Sequence, residues 1–399
     1  MQAATSAAAA VFAAPSGVSK ANHEGAVNET VAKIEKLTPP ILSKETEQYT
    51  VVCTRPRREG NFNISLEKNG NQTCVHCYGH GGSGWTTLFG SVNKAIKLFT
   101  DTNPDKTVPV RVIGSGCMGL TTAIELKRLG FQVTISSKDE SDVPSWKAAG
   151  YFALVSVNTS PEEKDDVNQI GMYTFKTYQK IDRGEHPYLP KEAVRFMPVY
   201  CSEDTDSGIQ DLEEKKEIPL RERVTLDFGN GVRHENFVKF MTYFMNTAIL
   251  MTELKEQVRR LEIPLIVETI HSFGQIKEAV VFNCTGLGAR QLNNDDKMTP
   301  VTGHLHLLNA KAGEGHMDYM IYSKVKDDDG KDAYVYMFPK CLQVNEEFPH
   351  GFKVHATLGG TFIRDTDTYT EAQLEELDQV EFKKLLDRNS MFFYGMPLQ

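Results

Sequence analysis

The spacing of apolar and polar residues divides the chain into a readable series of elements. Asn28 to Leu37 has helical spacing and stops at Pro39-Pro40. Tyr49 to Cys53 is a short β-rich run. Phe62 to Glu67 alternates like a strand, Lys68-Asn69-Gly70-Asn71 reads as a hairpin turn, and Thr73 to Tyr78 is the returning strand. A glycine-rich turn, Gly79 to Gly84, leads into an apolar helical pattern from Thr86 to Phe99. After a polar linker, Asp101 to Thr107, comes an apolar strand, Val108 to Ile113. A second glycine turn then opens a helix running to about Leu129, which Gly130 is placed to end, and Phe131 to Ile135 is the next strand. This βαβ unit predicts two adjacent parallel strands.

Beyond it the signal is weaker. Glu162 to Asp227 is mixed and polar, with helical spacing at Val167 to Ile181, and Asn236 to Leu261 reads as one long helical stretch. Ala279 to Asn283 is a buried-type strand. Gly303 to Leu308, Ala333 to Phe338 and Lys353 to Leu358 read as strands, and Glu371 to Leu386 as a helix.

Gly114, Gly116 and Gly119 form G-x-G-x-x-G between a strand and a helix, the context in which that spacing binds a dinucleotide. The first glycine permits the tight turn, the second lets backbone approach a pyrophosphate, and the third lets helix pack on strand. The helix start adds unpaired N–H groups and a positive dipole end. The second strand should end in an acid for the ribose, yet the position reads Ser136-Ser137-Lys138, with Asp139 and Glu140 just beyond. That departure weakens a nicotinamide reading.

The bulk numbers narrow the class. With 399 residues the chain suits two domains, and 40% hydrophobic with 24% charged residues is ordinary for a soluble globular protein. A formal net charge of −9 argues against a nucleic-acid groove. No apolar run approaches the ~20 residues of a membrane span. The Ala-rich start is expected to be a disordered tail, residues 1–27, and seven scattered cysteines fit reduced thiols and a cytoplasmic location.

Three further segments carry a family resemblance. Tyr78-Gly79-His80-Gly81-Gly82-Ser83-Gly84-Trp85-Thr86 resembles the YGHGG-x-G-x-T signature of D-amino-acid and D-aspartate oxidases. Val280 to Ala289 resembles their VNCTG strand and turn, and Leu358-Gly359-Gly360-Thr361-Phe362 their LGG-x-F strand. Ala148-Ala149-Gly150 is similar to the AAG after the second strand. The resemblance implies an α/β fold with a Rossmann-like FAD-binding domain and a mixed-sheet α+β substrate domain. It implies FAD contacts from Gly114, Gly116, Gly119, Ala149, Gly150, Cys284, Thr285, Gly286, Gly81, Gly82, Ser83, Gly84, Trp85 and Thr86. In that family the G-x-G-x-x-G strand opens the chain and YGHGG lies near its end. Here the order is inverted, which implies circular permutation. The expected FAD-binding domain is residues 70–160 with 235–295, and the substrate domain is 28–69, 161–234 and 296–399.

The implied chemistry is hydride transfer from a D-amino acid to flavin, leaving an imino acid that hydrolyses to keto acid and ammonia. Molecular oxygen or another acceptor then takes the electrons. Thr54-Arg55-Pro56-Arg57-Arg58 resembles the family's FRP-x-R segment, so Arg55 is the expected carboxylate anchor, for which a planar guanidinium fork is suited. Tyr334-Val335-Tyr336-Met337-Phe338-Pro339 resembles Y-I-I-P, which makes Tyr336 its helper. A helix start at Gly81 to Thr86 would stabilise negative charge on reduced flavin. Oxidation of glycine, sarcosine or another small amine stays open, as does a flavin-binding protein without catalysis. No metal is expected: Cys74 and Cys77 would face opposite sides of a strand, and His80 belongs to the signature.

Overall fold

A computed structural model describes residues 32–42, 48–139, 143–148, 150–155, 160–309, 317–327, 329–339, 354–364 and 366–398. The expected tail and Ala149 lie outside these residues. Among them the chain forms two sheets flanked by helices.

The first sheet has six strands in the order Leu265–Val267, Gln132–Ser137, Pro109–Ile113, Val280–Asn283, Gln72–Tyr78 and Asn63–Asn69. The first five run parallel; only the Asn63–Asn69/Gln72–Tyr78 hairpin is antiparallel. Val280–Asn283 is buried at every residue, as a central strand covered on both faces must be. It pairs with Pro109–Ile113 on one side and Gln72–Tyr78 on the other. The βαβ unit is therefore as expected, and Gly130, at φ 94°, donates to Lys127 O where the Cys117–Arg128 helix ends. Helix Gly84–Thr100 buries Leu88, Phe89, Val92, Ala95, Ile96 and Phe99. It lies against Pro161–Asp182, with Gly90 at the closest approach: a Cβ there would meet Ile170 O at 2.1 Å.

The second sheet has eleven strands and is mixed. Its main path runs Lys33–Lys36, Glu222–Asp227, Arg233–Met245, Val194–Ser202, Met320–Lys326, Asp332–Pro339, Val354–Gly359, Met298–Asn309 and Ile363–Arg364. Gln48–Arg58 pairs along Met298–Asn309, and Gly150–Tyr151 pairs with the end of Arg233–Met245. The Glu371–Tyr394 helix lies on this sheet and ends at Gly395 in the left-handed region.

Two expected elements are corrected. Lys33–Lys36 is a strand, not helix: it pairs in parallel with Glu222–Asp227, and Glu35 holds Lys239 and the Tyr200 hydroxyl. Edge pairing overrides the local helical spacing. Residues 236–261 are not one helix. Arg233–Met245 is a strand and Thr247–Arg260 a helix, with Asn246 Oδ1 capping Ile249 N at 3.3 Å between them. Buried Phe237, Val238, Phe240, Tyr243 and Phe244 are aromatic and β-branched residues that favour the sheet. Sheet membership also cuts the chain differently from the expected segments: Asn63–Asn69 joins the six-stranded sheet and Arg233–Met245 the eleven-stranded one.

Candidate active site

Parallel strands bring their carboxyl ends to one edge, and the loops that leave that edge form the crevice where α/β sheets bind ligands. Four such loops meet here, after Tyr78, Ile113, Ser137 and Asn283. Gly114, at φ 114°, leaves no room for a side chain: a Cβ would lie 2.5 Å from Cys284 O. A Cβ on Gly119 would lie 2.0 Å from Gly114 O. Gly116 caps the helix that starts at Cys117. The glycine turn, Cys284 and Thr285 are thus brought together, and Thr285 is held by Asn283 Oδ1 at 2.7 Å.

At the start of that helix, Cys117 N donates to Ser145 Oγ at 3.0 Å, and a Cβ on Gly116 would lie 3.3 Å from the same oxygen. The first N–H groups of a helix have no carbonyl partner within it, and a pyrophosphate supplies acceptors for them. By this test the turn fits a dinucleotide. Nearby, Ser115 Oγ meets Ser137 Oγ at 2.7 Å.

The second glycine segment packs alongside. Gly81–Ser83 is a short 3₁₀ turn running into the helix from Gly84. Ser83 Oγ donates to Val155 O at 2.6 Å, Trp85 Nε1 to Ser145 O at 3.3 Å, and Thr86 Oγ1 to Tyr151 O at 3.5 Å. Ser145 therefore touches both glycine segments. His80 bonds Ser91 Oγ at 3.1 Å and stacks on Phe62; burial holds its pKa near 3, so the ring is neutral. Gly150 pairs with Met245.

Arg55 and Tyr336, 281 positions apart, meet here. Arg55 Nη2 donates to the Tyr336 hydroxyl at 3.3 Å and Nη1 to Thr361 O at 3.3 Å, with the guanidinium 4.7 Å from the centre of the Phe362 ring. The strand carrying Arg55 then crosses the glycine turns residue by residue. Pro56 touches Gly286, Arg57 bridges to His80, and Arg58 packs on Gly79. Arg58 is taken by Asp295 at 2.8 Å. Burial raises the Tyr336 pKa and the neighbouring Arg55 opposes that shift, so the phenol stays protonated.

Several residues at this place escaped the sequence reading. Tyr336 stacks on Phe338, and Phe338 on Tyr151, whose buried hydroxyl has no hydrogen-bond partner among the described residues. His304 is fully buried; its Nδ1 meets Thr361 Oγ1 at 3.1 Å and its Nε2 meets Asp378 at 2.8 Å. That contact steadies the carbonyl that Arg55 uses. The alternating His304 and His306 on a buried strand were the available signal. Cys74 and Cys77 do enter cores on opposite faces of the sheet. Among the described residues no group of three or more His, Cys, Asp or Glu side chains is placed to hold a metal ion.

Comparison with known proteins gives one family match and several structural ones. The model of the family DAO, FAD dependent oxidoreductase, matches residues 110–388. The fold is similar to L-amino acid deaminase from Proteus vulgaris, at 12% identity over 65% of this chain and 61% of that one, TM-score 0.40. It is similar to glycine oxidase from Bacillus cereus ATCC 14579, at 12% identity over 69% and 77%, TM-score 0.38. For the peptidyl tryptophan dihydroxylase QhpG the values are 12%, 68% and 49%, TM-score 0.33, so the chain spans about half the length of that protein.

Proposed function

Because this chain belongs to the family of FAD-dependent oxidoreductases, with FAD as cofactor, we propose that it oxidises a D-amino acid to an imino acid. The observation that carries the reading is the meeting of Arg55 with Tyr336, with Arg55 on a strand that continues directly across the glycine turns. Arg55 would take the substrate carboxylate through its planar fork, and the Tyr336 hydroxyl would donate to the same group. The stack of Tyr336, Phe338 and Tyr151 forms an apolar wall beside them that excludes water and strengthens the ion pair. FAD, when bound, supplies the hydride acceptor. Gly114, Gly116 and Gly119 would admit its pyrophosphate, with Gly150, Cys284, Thr285 and Gly286 around it. Gly81, Gly82, Ser83, Gly84, Trp85 and Thr86 would present a helix start to the charge that the hydride brings. The α-hydrogen leaves as hydride and the amine loses a proton. Water then converts the imine to keto acid and ammonia, and oxygen or another acceptor takes the two electrons.

The inverted order of the motifs is read as circular permutation. The family match begins at Val110, in the strand of the dinucleotide turn, and leaves residues 1–109 unmatched. Yet residues 63–78 supply two strands of the same sheet. On this reading the FAD-binding unit is discontinuous, and the eleven-stranded sheet carries the substrate side. Six buried cysteines, none in a disulfide among the described residues, fit a reducing, cytoplasmic setting.

Anaerobic bleaching of the flavin by a panel of D- and L-amino acids tests the proposal. Reduction by D-amino acids, but not their L-enantiomers, is the expected result. Bleaching by glycine or sarcosine alone would move the assignment to a small-amine oxidase, and no bleaching by any amine would refute it.

A further inference from the structure

We propose that Glu268, from a neighbouring strand, supplies the carboxylate that holds the adenosine ribose of FAD. The dinucleotide unit normally ends its second strand in an acid that accepts a hydrogen bond from a ribose hydroxyl. Here that strand, Gln132–Ser137, ends in two serines. The register shows what replaces the acid. Leu265–Val267 runs parallel beside it, with Ile266 opposite Ser136 and Val267 opposite Ser137, so both strands end level at the ligand edge. Glu268 is the first residue beyond that edge, and its N–H donates to Ser137 O at 2.8 Å. Neighbouring strands lie about 4.8 Å apart, a gap its side chain spans: Ser136 Oγ donates to Glu268 Oε1 at 2.7 Å. A carboxylate thus stands at the end of the second strand without being part of it.

The carboxylate is available for this role. Arg111, the nearest cation, spends its strong bonds on Glu278, at 2.6 and 3.1 Å, and on Ser136 Oγ, at 2.8 Å; it reaches Glu268 only at 3.4 Å. Glu268 Oε2 has no hydrogen bond among the described residues, and the side chain is 40% exposed. Ser136 Oγ, itself held by Arg111 Nη1 at 2.8 Å, fixes its direction. A carboxylate accepts from a free ribose hydroxyl and repels a phosphate at that oxygen, so the same residue selects FAD over a 2′-phosphorylated dinucleotide.

The inference rests on FAD as cofactor, and the test separates the two. FAD affinity of the full chain is measured by fluorescence titration for the parent, Glu268→Ala and Glu268→Gln. ADP and 2′-deoxy-ADP are compared as competitors, and the melting midpoint is recorded without flavin. Loss of a hydrogen bond to a charged group weakens binding roughly 10- to 100-fold. Glu268→Ala should lose FAD affinity by that factor with its flavin-free melting unchanged. The parent should prefer ADP to 2′-deoxy-ADP, the Ala variant should not, and Gln should fall between them. Ser136→Asp in the Glu268→Ala background should restore affinity by putting the acid back on its own strand. The proposal fails if Glu268→Ala binds FAD like the parent, if the parent ignores the 2′-hydroxyl, or if Ser136→Asp restores nothing. A parent that binds no FAD overturns the cofactor assignment itself.

Discussion

The proposed role of Arg55 rests on its neighbours rather than on its charge, since Arg57 and Arg58 stand beside it. Asp295 takes Arg58, and Arg57 is buried 3.5 Å from Glu59. Arg55→Ala should therefore leave bound FAD intact and cost several kcal/mol of substrate binding, at about 1.5–3 kcal/mol per charge-assisted bond. Arg55→Lys should recover only part, because a point charge does not reproduce the fork. Turnover of the best D-amino acid by each variant, read against flavin content, checks both. Gly359 is the less obvious partner. A Cβ there would lie 1.9 Å from Tyr336 Cζ, so Gly359→Ala must displace the ring and with it the hydroxyl that meets Arg55. The expected result is a raised KM with FAD retained, and a stability loss of about 1–3 kcal/mol in a urea melt. His80 gives a pH signature. Burial lowers its folded pKa from 6.5 to about 3, so the unfolded chain binds the proton more readily. Its contribution to stability is complete above pH 6.5 and falls as pH drops from there toward 3. Melting midpoints of the parent and His80→Asn between pH 7 and 4 should converge as the pH falls; parallel curves would contradict a neutral buried ring. That Arg55, Tyr336 and the glycine turns meet was legible because each carries a special geometry or charge in an ordered motif. The contacts of Ser145, on the Pro144–Lys147 helix, of His304 and of Glu268 were not, because they join segments far apart in the chain, which a linear pattern does not state.

Elements were legible where turn residues mark their ends. The Gly84–Thr100 and Cys117–Arg128 helices, buried at every residue over 85–92 and 117–124, and the Asn63–Asn69/Gln72–Tyr78 hairpin are bounded by the glycine turns and by Gly70, and ended within a few residues of expectation. Arg233–Met245 misled because it continues into a helix after a single capping residue, Asn246, so two periods run together. Lys33–Lys36 misled because four residues at a sheet edge carry too little pattern to outvote helical spacing. At this scale the contact of Gly84–Thr100 with Pro161–Asp182 sets a sharp expectation. Gly90→Ala would push a methyl group onto the Ile170 carbonyl carbon and oxygen, both backbone atoms, and the helices must separate. A loss of about 1–3 kcal/mol in urea melts is expected, with weaker FAD retention, since the same helix begins at the glycine turn. Alanine's better helix propensity, worth at most about 1 kcal/mol, opposes this without cancelling it.

For the whole molecule, the six-stranded sheet ties remote segments together. Phe282 pairs with Val75 on one side and Val112 on the other. The C-terminal end also lies near the first described residues: Tyr394 donates to Pro40 O at 2.7 Å, and Leu398 packs in the cluster of Leu37 and Leu42. A gene opened within residues 101–107, with residue 398 joined to residue 32 by a short flexible linker, should therefore yield a protein that binds FAD and unfolds in a single transition like the parent. Loss of flavin binding in that rearranged chain, with soluble expression retained, would count against the permutation reading. The motif order in the sequence suggests such a rearrangement, whereas the nearness of residues 394–398 to residues 37–42 is visible only in three dimensions.

The pairing of Gln72–Tyr78 with Val280–Asn283 also dictates a timetable. During synthesis the hairpin strand leaves the ribosome about two hundred residues before the partner that covers its inner edge. Until then that edge offers a row of free N–H and C=O groups, the template on which foreign strands pair. Contacts so distant along the chain form late. The nascent protein must therefore carry an open edge through about half of its own translation, which makes the hairpin, rather than the finished surface, the part most in need of a chaperone.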